Sequence, residues 1–328
     1  MKKPKPRNFA LIGAAGYVAP RHLKAIQDTG SRLVCALDPH DSAGVLDGYF
    51  RDVEFFTEFE RFDRHIERLR RESPDKRIDL VSICSPNYLH DAHIRFALRV
   101  GADVICEKPV VLNPWNIDAL RALERESGRK VNVVLQMRLH ETIERLKRET
   151  DKEKKSRKHR VSLRYITARG PWYDFSWKGD ENKSGGVVTN IGIHFFDMLI
   201  WVFGDVEASE IEILEPRKAG GRLILERAEV EWFLSLDFDD LPEEIRRTEQ
   251  TTFRRVLVDG KPLDISRGFT DLHTRIYEEA LQGRGFTLED ARPATDLVSR
   301  IRREKNHPEE AKDEEKKNRR DAEDAEKR

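Results

Sequence analysis

The sequence is short of cysteine, of net charge and of long apolar runs, and each shortage removes a class of protein. Only three cysteines, Cys35, Cys84 and Cys106, occur in 328 residues. They stand in separate apolar stretches without metal-type spacing, which argues against a disulfide scaffold and a cysteine-ligated zinc site. They read as reduced core residues of a cytosolic protein. The 60 basic and 60 acidic residues cancel, so no net field would draw the chain to nucleic acid or an anionic membrane. No apolar run approaches the roughly 18 residues of a membrane span. The start, Met1 to Arg7, is basic but runs into a short strand instead of a signal-peptide core.

What is there is an alternation of short apolar runs and helical patterns up to about residue 133. Phe9 to Gly13, Leu33 to Leu37, Leu80 to Cys84, Val104 to Cys106 and Val131 to Leu135 predict buried strands. Pro20 to Gly30 and His90 to Val100 predict helices, the first opened by Pro20 and closed by Gly30, the second stopped at Gly101. Such strands imply a parallel sheet covered on both faces, hence a Rossmann-type α/β domain over residues 1–133.

Beyond it the strands lengthen and partly alternate: Val161 to Ile166, Val206 to Leu214, Arg222 to Asp237 and Thr252 to Ile265. Val230, Trp232, Leu234 and Leu236 repeat with period two, the pattern of a sheet covered on one face. Asp259-Gly260 predicts a hairpin. Helices return at Thr270 to Leu281 and from Thr287, where Thr287 and Asp290 form a capping-box pattern. Residues 134–304 therefore predict an α+β domain on a mostly antiparallel open sheet. Lys305 to Arg328 is almost wholly charged and predicts a disordered tail.

Four features carry chemistry. Gly13, Ala14, Ala15, Gly16, Tyr17 and Val18 lie between a strand and a helix, where small residues let backbone N–H groups approach a pyrophosphate. The spacing departs from a strict G-x-G-x-x-G, and Ala19 replaces its last glycine. Asp38 ends the next strand about 20 residues further on, as a ribose acceptor does. No arginine follows it, so NAD is favoured over NADP. Ser85 and Asn87 follow another strand at the same sheet edge and would border the cofactor, with Asn87 alternatively capping the next helix. Glu107 and Lys108 end a buried strand before Pro109, where partial burial would lower the lysine's pKa toward a useful value.

Asn190 and His194 share a face if residues 187–202 are helical, with Asp197 one turn later. A neutral histidine there suits general-base or hydrogen-bonding work; the compact ligand set that zinc requires is not evident. Finally, Arg169 to Asp180 is a loop dense in aromatics and cations, suited to stacking on a ring and pairing with phosphate or carboxylate.

Together these motifs resemble the oxidoreductase family of glucose–fructose oxidoreductase and myo-inositol dehydrogenase. The resemblance is carried by Gly13 to His22, Glu107-Lys108-Pro109, Trp177-Lys178, Gly185-Gly186 and the Gly192 to Asp197 stretch. Within the family the sequence most resembles the UDP-N-acetyl-D-glucosaminuronic acid 3-dehydrogenases, through Asn8 to Tyr17, Val81 to His90, Val104 to Pro109, Thr189 to His194 and Phe269 to Thr274. That resemblance implies NAD-dependent oxidation of the sugar's C3 hydroxyl in bacterial surface-polysaccharide synthesis, by a cytoplasmic homo-oligomer that binds a UDP-sugar and needs neither nucleic acid nor membrane.

Many family members place an aspartate where Asn190 stands. Asparagine cannot accept a proton, so Lys108 becomes the expected base and His194 its assistant. The expected cofactor contacts add His90, Gln136 and Trp177 to the residues above and include Lys108. The expected substrate contacts are Lys108, Arg138, Arg169, Tyr173, Lys178, Asn190 and His194. The competing readings are another sugar or inositol dehydrogenase of this family, and a catalytically silent NAD-binding protein.

Overall fold

A computed structural model describes residues 6–73, 75–265, 268 and 271–306. The first residues of the basic start, Phe269 and Thr270, and the expected tail from residue 307 lie outside the described residues.

Residues 8–133 build a parallel sheet from β1 (Asn8–Ile12), α1 (Ala19–Asp28), β2 (Arg32–Leu37), β3 (Glu54–Phe56), α2 (Phe59–Glu72), β4 (Leu80–Ile83), α3 (His90–Arg99), β5 (Asp103–Cys106), α4 (Trp115–Ser127) and β6 (Val131–Val133). The strand order is β3-β2-β1-β4-β5-β6, every pair parallel. The order reverses between β1 and β4, which opens a crevice at the carboxyl ends of those strands. The five expected strands are present, apolar apart from single polar residues such as Ser82 and Asn132 because both faces are covered. Three elements had no clear signal. β3 is three residues long and begins with a glutamate. α2 is highly charged and buries only Phe62, His65, Ile66 and Leu69 along one stripe. α4 likewise buries only Ile117 and Leu120.

The second half contains α5 (Glu141–Lys152), β7 (His159–Thr167), α6 (Trp172–Phe175), α7 (Glu181–Ser184), α8 (Ile193–Phe203), β8 (Val206–Leu214), β9 (Lys218–Leu225), β10 (Ala228–Ser235), α9 (Glu243–Arg246), β11 (Thr252–Val258), β12 (Lys261–Pro262), α10 (Leu272–Leu281) and α11 (Leu288–Asn306). Its sheet runs β12-β11-β7-β10-β9-β8 and is antiparallel except for the β7–β10 pair. The single run expected over Arg222 to Asp237 is in fact the end of β9, a turn at Glu226-Arg227, and β10. The turn has no glycine, proline or asparagine to mark it. The Asp259-Gly260 hairpin is present, with φ of 50° and 77° at its two central residues, the left-handed pair such a turn requires. The capping box forms too: the Thr287 amide donates to Asp290 Oδ2 at 2.7 Å and the Asp290 amide donates to Thr287 Oγ1 at 3.3 Å.

One expectation about apolar runs needs correcting. The helical stretch Glu181–Phe203 is long and apolar enough to cross a membrane by length and composition, but 78% of that window is buried inside the protein. Isolated polar residues such as Asn190 and Asp197 break the run to the eye without lowering its mean hydropathy much. It is a core helix: Phe195, Phe196, Met198, Leu199 and Phe203 pack under β7, β9 and β10 with Leu163, Leu223 and Trp232.

The chain after residue 133 also completes the first domain. Leu272, Ile276 and Tyr277 of α10 enter the core on the α1 face of the parallel sheet. Leu288 and Ala291 of α11 enter the core on its other face, while Leu297, Val298 and Ile301 of the same helix serve the second sheet. α11 thus ties the two sheets together along the crevice.

Candidate active site

The β1–α1 loop lies hard against the end of β4. Gly13 adopts φ +93°, and a Cβ there would sit 2.7 Å from the Cys84 carbonyl and the Ser85 nitrogen. Only glycine fits such a crossing. The Gly13 and Ala14 amides donate to Leu37 O at 2.8 and 3.2 Å. The Ala15 amide donates to Asp38 Oδ2 at 2.9 Å, while Asp38 Oδ1 accepts from the His40 amide at 3.0 Å. Asp38 is thereby fixed at the end of β2, buried beside the loop. Past Gly16, Tyr17 projects into solvent, and Val18 opens α1 with no side-chain cap. At that helix start Pro20 has no N–H, and the Ala19 and Arg21 amides donate to Gly16 O and Val18 O. The loop amides without a partner among the described residues are those of Tyr17 and Val18, which suit an anion. This cradle fits the dinucleotide expected of it.

Around the crevice several expected cofactor contacts turn inward. His90 bonds through its two ring nitrogens to Pro109 O at 2.7 Å and Ser85 O at 2.8 Å, bracing the β4 loop against the β5 loop. Ser85 Oγ is held by His93 at 2.9 Å. Asn87 does not cap α3; its Nδ2 donates to Ser184 O at 2.9 Å, a bond between the two halves of the chain. Glu107 is also turned away from the crevice. Its Oε1 accepts from His22 at 3.2 Å and His273 at 2.9 Å, and its Oε2 accepts from the Lys108 amide at 3.2 Å. Gln136 differs: its Oε1 is buried without a partner among the described residues, an acceptor available to a ligand. Trp177 faces Lys178, whose Nζ lies 5.8 Å from the indole centroid.

Lys108, Asn190 and His194 come together where β5 meets α8. Residues 188–192 form one π-helical turn before α8, not the continuous α-helix expected. Such a widened turn is common at functional sites. The Asn190 carbonyl accepts from Lys108 Nζ at 2.9 Å. The Asn190 side chain donates through Nδ2 to the buried Tyr173 hydroxyl at 3.0 Å. Burial, followed by the charge of Lys178, pulls the Lys108 pKa down to about 8 against the opposing pull of Glu107. His194 is held well below the usual histidine range, first by burial and then by the Lys108 charge, so it is neutral near pH 7. The two residues line one narrow cavity together with Met137, Ile193 and Asp197.

Arg138 is the clearest departure from the expected substrate contacts. Its Nε and Nη2 grip Asp197 at 3.1 and 2.7 Å, and its Nη1 reaches Asp290 Oδ1 at 3.2 Å. The guanidinium is fully occupied inside the protein. The aromatic loop, by contrast, faces outward and is anchored by Arg217, a residue with no sequence signal. Arg217 meets Asp174 at 2.8 Å, Asp237 at 2.6 Å and the Arg169 carbonyl at 2.7 Å. Lys178 lies 5.5 Å over Trp172, and burial and then Arg169 lower its pKa. Arg169 itself is exposed. Neither Arg169 nor Lys178 has an ion-pair partner among the described residues, and Tyr173 is buried beside Trp172 in the same loop.

This arrangement of a dinucleotide cradle, a lowered lysine and a neutral histidine can remove a proton from a hydroxyl while a bound cofactor is reduced. Known proteins are similar to this chain in sequence and fold. Residues 7–135 match the oxidoreductase family, NAD-binding Rossmann fold, and residues 158–227 match the family's C-terminal alpha/beta domain. The chain is 47% identical to the WlbA (WbpB) dehydrogenase of Thermus thermophilus, solved with NAD and UDP-GlcNAcA, over 90% of this chain and 94% of that one, with a TM-score of 0.86. The WlbA dehydrogenase of Bordetella pertussis shares the fold at 17% identity, over 94% of this chain and 97% of that one, with a TM-score of 0.75. Among curated relatives, the D-glucoside 3-dehydrogenase of Escherichia coli is 29% identical over 144 residues, 43% of this chain and 40% of that protein. The chain thus spans well under half of that relative's length. The two family matches together cover more than half of the chain, which belongs to the oxidoreductase family of glucose–fructose oxidoreductase and inositol dehydrogenase, with an NAD-binding Rossmann domain.

Proposed function

We propose that the protein is a UDP-N-acetyl-D-glucosaminuronic acid 3-dehydrogenase that oxidises the C3 hydroxyl to a ketone in the cytoplasm, toward diacetamido uronic acids of a bacterial surface polysaccharide. The observation that carries this reading is the 47% identity, along nine-tenths of the chain, to a dehydrogenase solved with NAD and UDP-GlcNAcA. The site chemistry agrees with it. Gly13 to Val18, with Asp38 at the ribose end, would hold NAD, which when bound supplies an acceptor for the hydride leaving C3. Lys108 in its neutral form takes the hydroxyl proton as the C=O bond forms. With a pKa of about 8 it reaches that form under mildly alkaline conditions without losing the power to hold the proton. The Asn190 carbonyl keeps the amine aimed into the crevice. His194, neutral and adjacent, hydrogen-bonds the same or the neighbouring sugar oxygen. Asn190 cannot take part in proton transfer, so the base role falls on Lys108. Arg169 and Lys178 pair with the diphosphate and the C6 carboxylate.

The same reading includes self-association. The face of the second sheet turned away from α8 carries Arg164 stacked 5.3 Å over Phe233, beside the exposed Glu231. This mixed apolar and charged surface suits a contact between copies of the chain, which light scattering would detect.

The test is a comparison of substrates by formation of reduced cofactor. UDP-N-acetylglucosaminuronate should turn over far faster than UDP-N-acetylglucosamine or a free sugar or inositol. Equal rates for the two nucleotide sugars would remove the uronate from the proposal, and preference for a free sugar would remove the nucleotide.

A further inference from the structure

Beneath Lys108 lies a chain of buried polar groups that the proton chemistry above does not use. Ser82 on β4 bonds to the Tyr277 hydroxyl at 2.6 Å, and Tyr277 on α10 bonds to His22 Nδ1 at 2.8 Å. His22 on α1 continues through Nε2 to Glu107 Oε1 at 3.2 Å, and His273 on α10 reaches the same oxygen at 2.9 Å. All five side chains are buried. The donors run in one direction: the Tyr277 hydroxyl donates to His22 Nδ1, which leaves His22 Nε2–H to donate to the carboxylate. These bonds hold Glu107 well below the usual carboxylate range despite its burial. A buried anion is costly, and proteins retain one where its charge has a use.

The use follows from position. Glu107 is the residue before Lys108, and its Oε2 accepts the Lys108 backbone amide, which fixes the carboxylate at the end of β5, while the Lys108 amine is held by the Asn190 carbonyl. The other titratable groups facing the amine are His194 on α8, His90 on α3 and Lys178 from the aromatic loop. None of these supplies a negative charge, and Asp197, which lines the same cavity, has its charge matched by Arg138 at 2.7 Å. We propose that Glu107, braced by His22 and His273, is a positioning residue whose fixed negative charge sets the pH at which Lys108 gives up its proton, so that α10 carries a part of the catalytic apparatus. This rests on the reading of Lys108 as the base.

Two residues of this brace come from α10, about 165 residues beyond β5 in sequence but packed on α1. The arrangement also explains why a carboxylate at the cofactor crevice faces the interior. Without it, burial and the Lys178 charge act on the amine unopposed, and Lys108 would lose its proton at a lower pH.

The experiment is a titration of Lys108 in the protein with NAD bound, using lysine labelled with carbon-13 at Cε and assigning the signal by its loss in Lys108→Met. The parent midpoint is expected near 8. Glu107→Gln keeps the size of the side chain and an oxygen acceptor for the two histidines but removes the charge. It should lower the midpoint by about one pH unit, the low end of the effect of a nearby opposite charge. The acid limb of the kcat profile should move down with it, since oxidation needs the neutral amine. An unmoved or raised midpoint would overturn the proposal, because a merely structural role would lower the melting temperature and the rate without moving the titration. His273→Gln keeps a donor on the carboxylate and leaves the charge in place, so its midpoint should stay within about 0.3 unit of the parent, well inside the charge effect. A shift of a full unit in His273→Gln would refute the charge assignment even if Glu107→Gln did not fold. The titration requires no substrate, so its failure is separate from any failure of the sugar assignment.

Discussion

Replacing Arg138 tests whether this residue belongs to the fold or to the substrate, and the structure gives the size of the effect. The Arg138 and Asp197 side chains are 7% and 4% exposed and meet at 2.7 Å, with a second bond at 3.1 Å. Arg138→Met keeps most of the volume and removes the charge, leaving Asp197 buried without its partner. Breaking such a pair from one side costs about 3–5 kcal/mol. For a chain of this size that corresponds to a fall in melting temperature of the order of 5 °C or more. The loss depends on pH with a definite sign. Burial already raises the Asp197 pKa above its ordinary value while Arg138 opposes that rise. Without Arg138 the folded-state pKa rises further, so the variant's stability is fully present below the ordinary carboxylate value and is lost as pH climbs through the raised one. Thermal melts of parent and variant should therefore nearly converge toward pH 4 and separate steadily toward pH 8. Arg138→Met/Asp197→Leu should recover part of the loss at neutral pH, because no unpaired charge remains. At temperatures where the variant is folded, its affinities for NAD and UDP-sugar should match those of the parent. A variant that melts like the parent at pH 7 but binds UDP-sugar poorly would refute the reasoning and return Arg138 to the substrate.

Further outcomes follow from the crevice. Asp38→Ala should weaken NAD by about tenfold to a hundredfold in calorimetry, the worth of a hydrogen bond to a charged group, and the parent should bind NADP poorly; equal affinity for both cofactors would contradict the role of Asp38. Gly13→Ala should raise the Kd for NAD sharply and cost about 1–3 kcal/mol from the strained φ alone, since the added Cβ meets the β4 backbone at 2.7 Å; unchanged binding would mean the loop is not the cradle. Lys108→Met should lower kcat by about 10² to 10⁴ with NAD affinity largely kept, and His194→Asn should be milder; a Lys108→Met enzyme with more than about a tenth of parental activity would make Lys108 a positioning residue instead.

Those features that depend on neighbouring residues were legible in the sequence. The strand β5 followed by Glu107-Lys108-Pro109, the loop at Gly13 and the acidic end of β2 at Asp38 each have their signal within a few residues. Features that depend on distant partners were not. Nothing around Arg138 shows that Asp197 and Asp290 will close on it, and nothing around Glu107 shows that His22 and His273 will fold over it. A charged side chain at a predicted strand end reads as available for ligand until its partners are seen. The π-helical turn at Asn190 was equally hidden, because an apolar periodicity tolerates one extra residue per turn. β9 and β10 read as one strand because Glu226-Arg227 carries no turn residue. The return of α10 to the first domain is a topological fact, invisible to any local pattern, and it moves Tyr277 and His273 from the second half of the chain into the first core.

The most direct test of the central claim is to supply UDP-N-acetylglucosaminuronate carrying deuterium at C3 and to weigh the reduced cofactor by mass spectrometry. The account predicts NADH one mass unit heavier than that formed from the unlabelled sugar, a slower turnover with the labelled one, and no label transfer in Lys108→Met beyond its residual rate. Reduced cofactor free of deuterium, or none formed from this sugar by the parent protein, would contradict it.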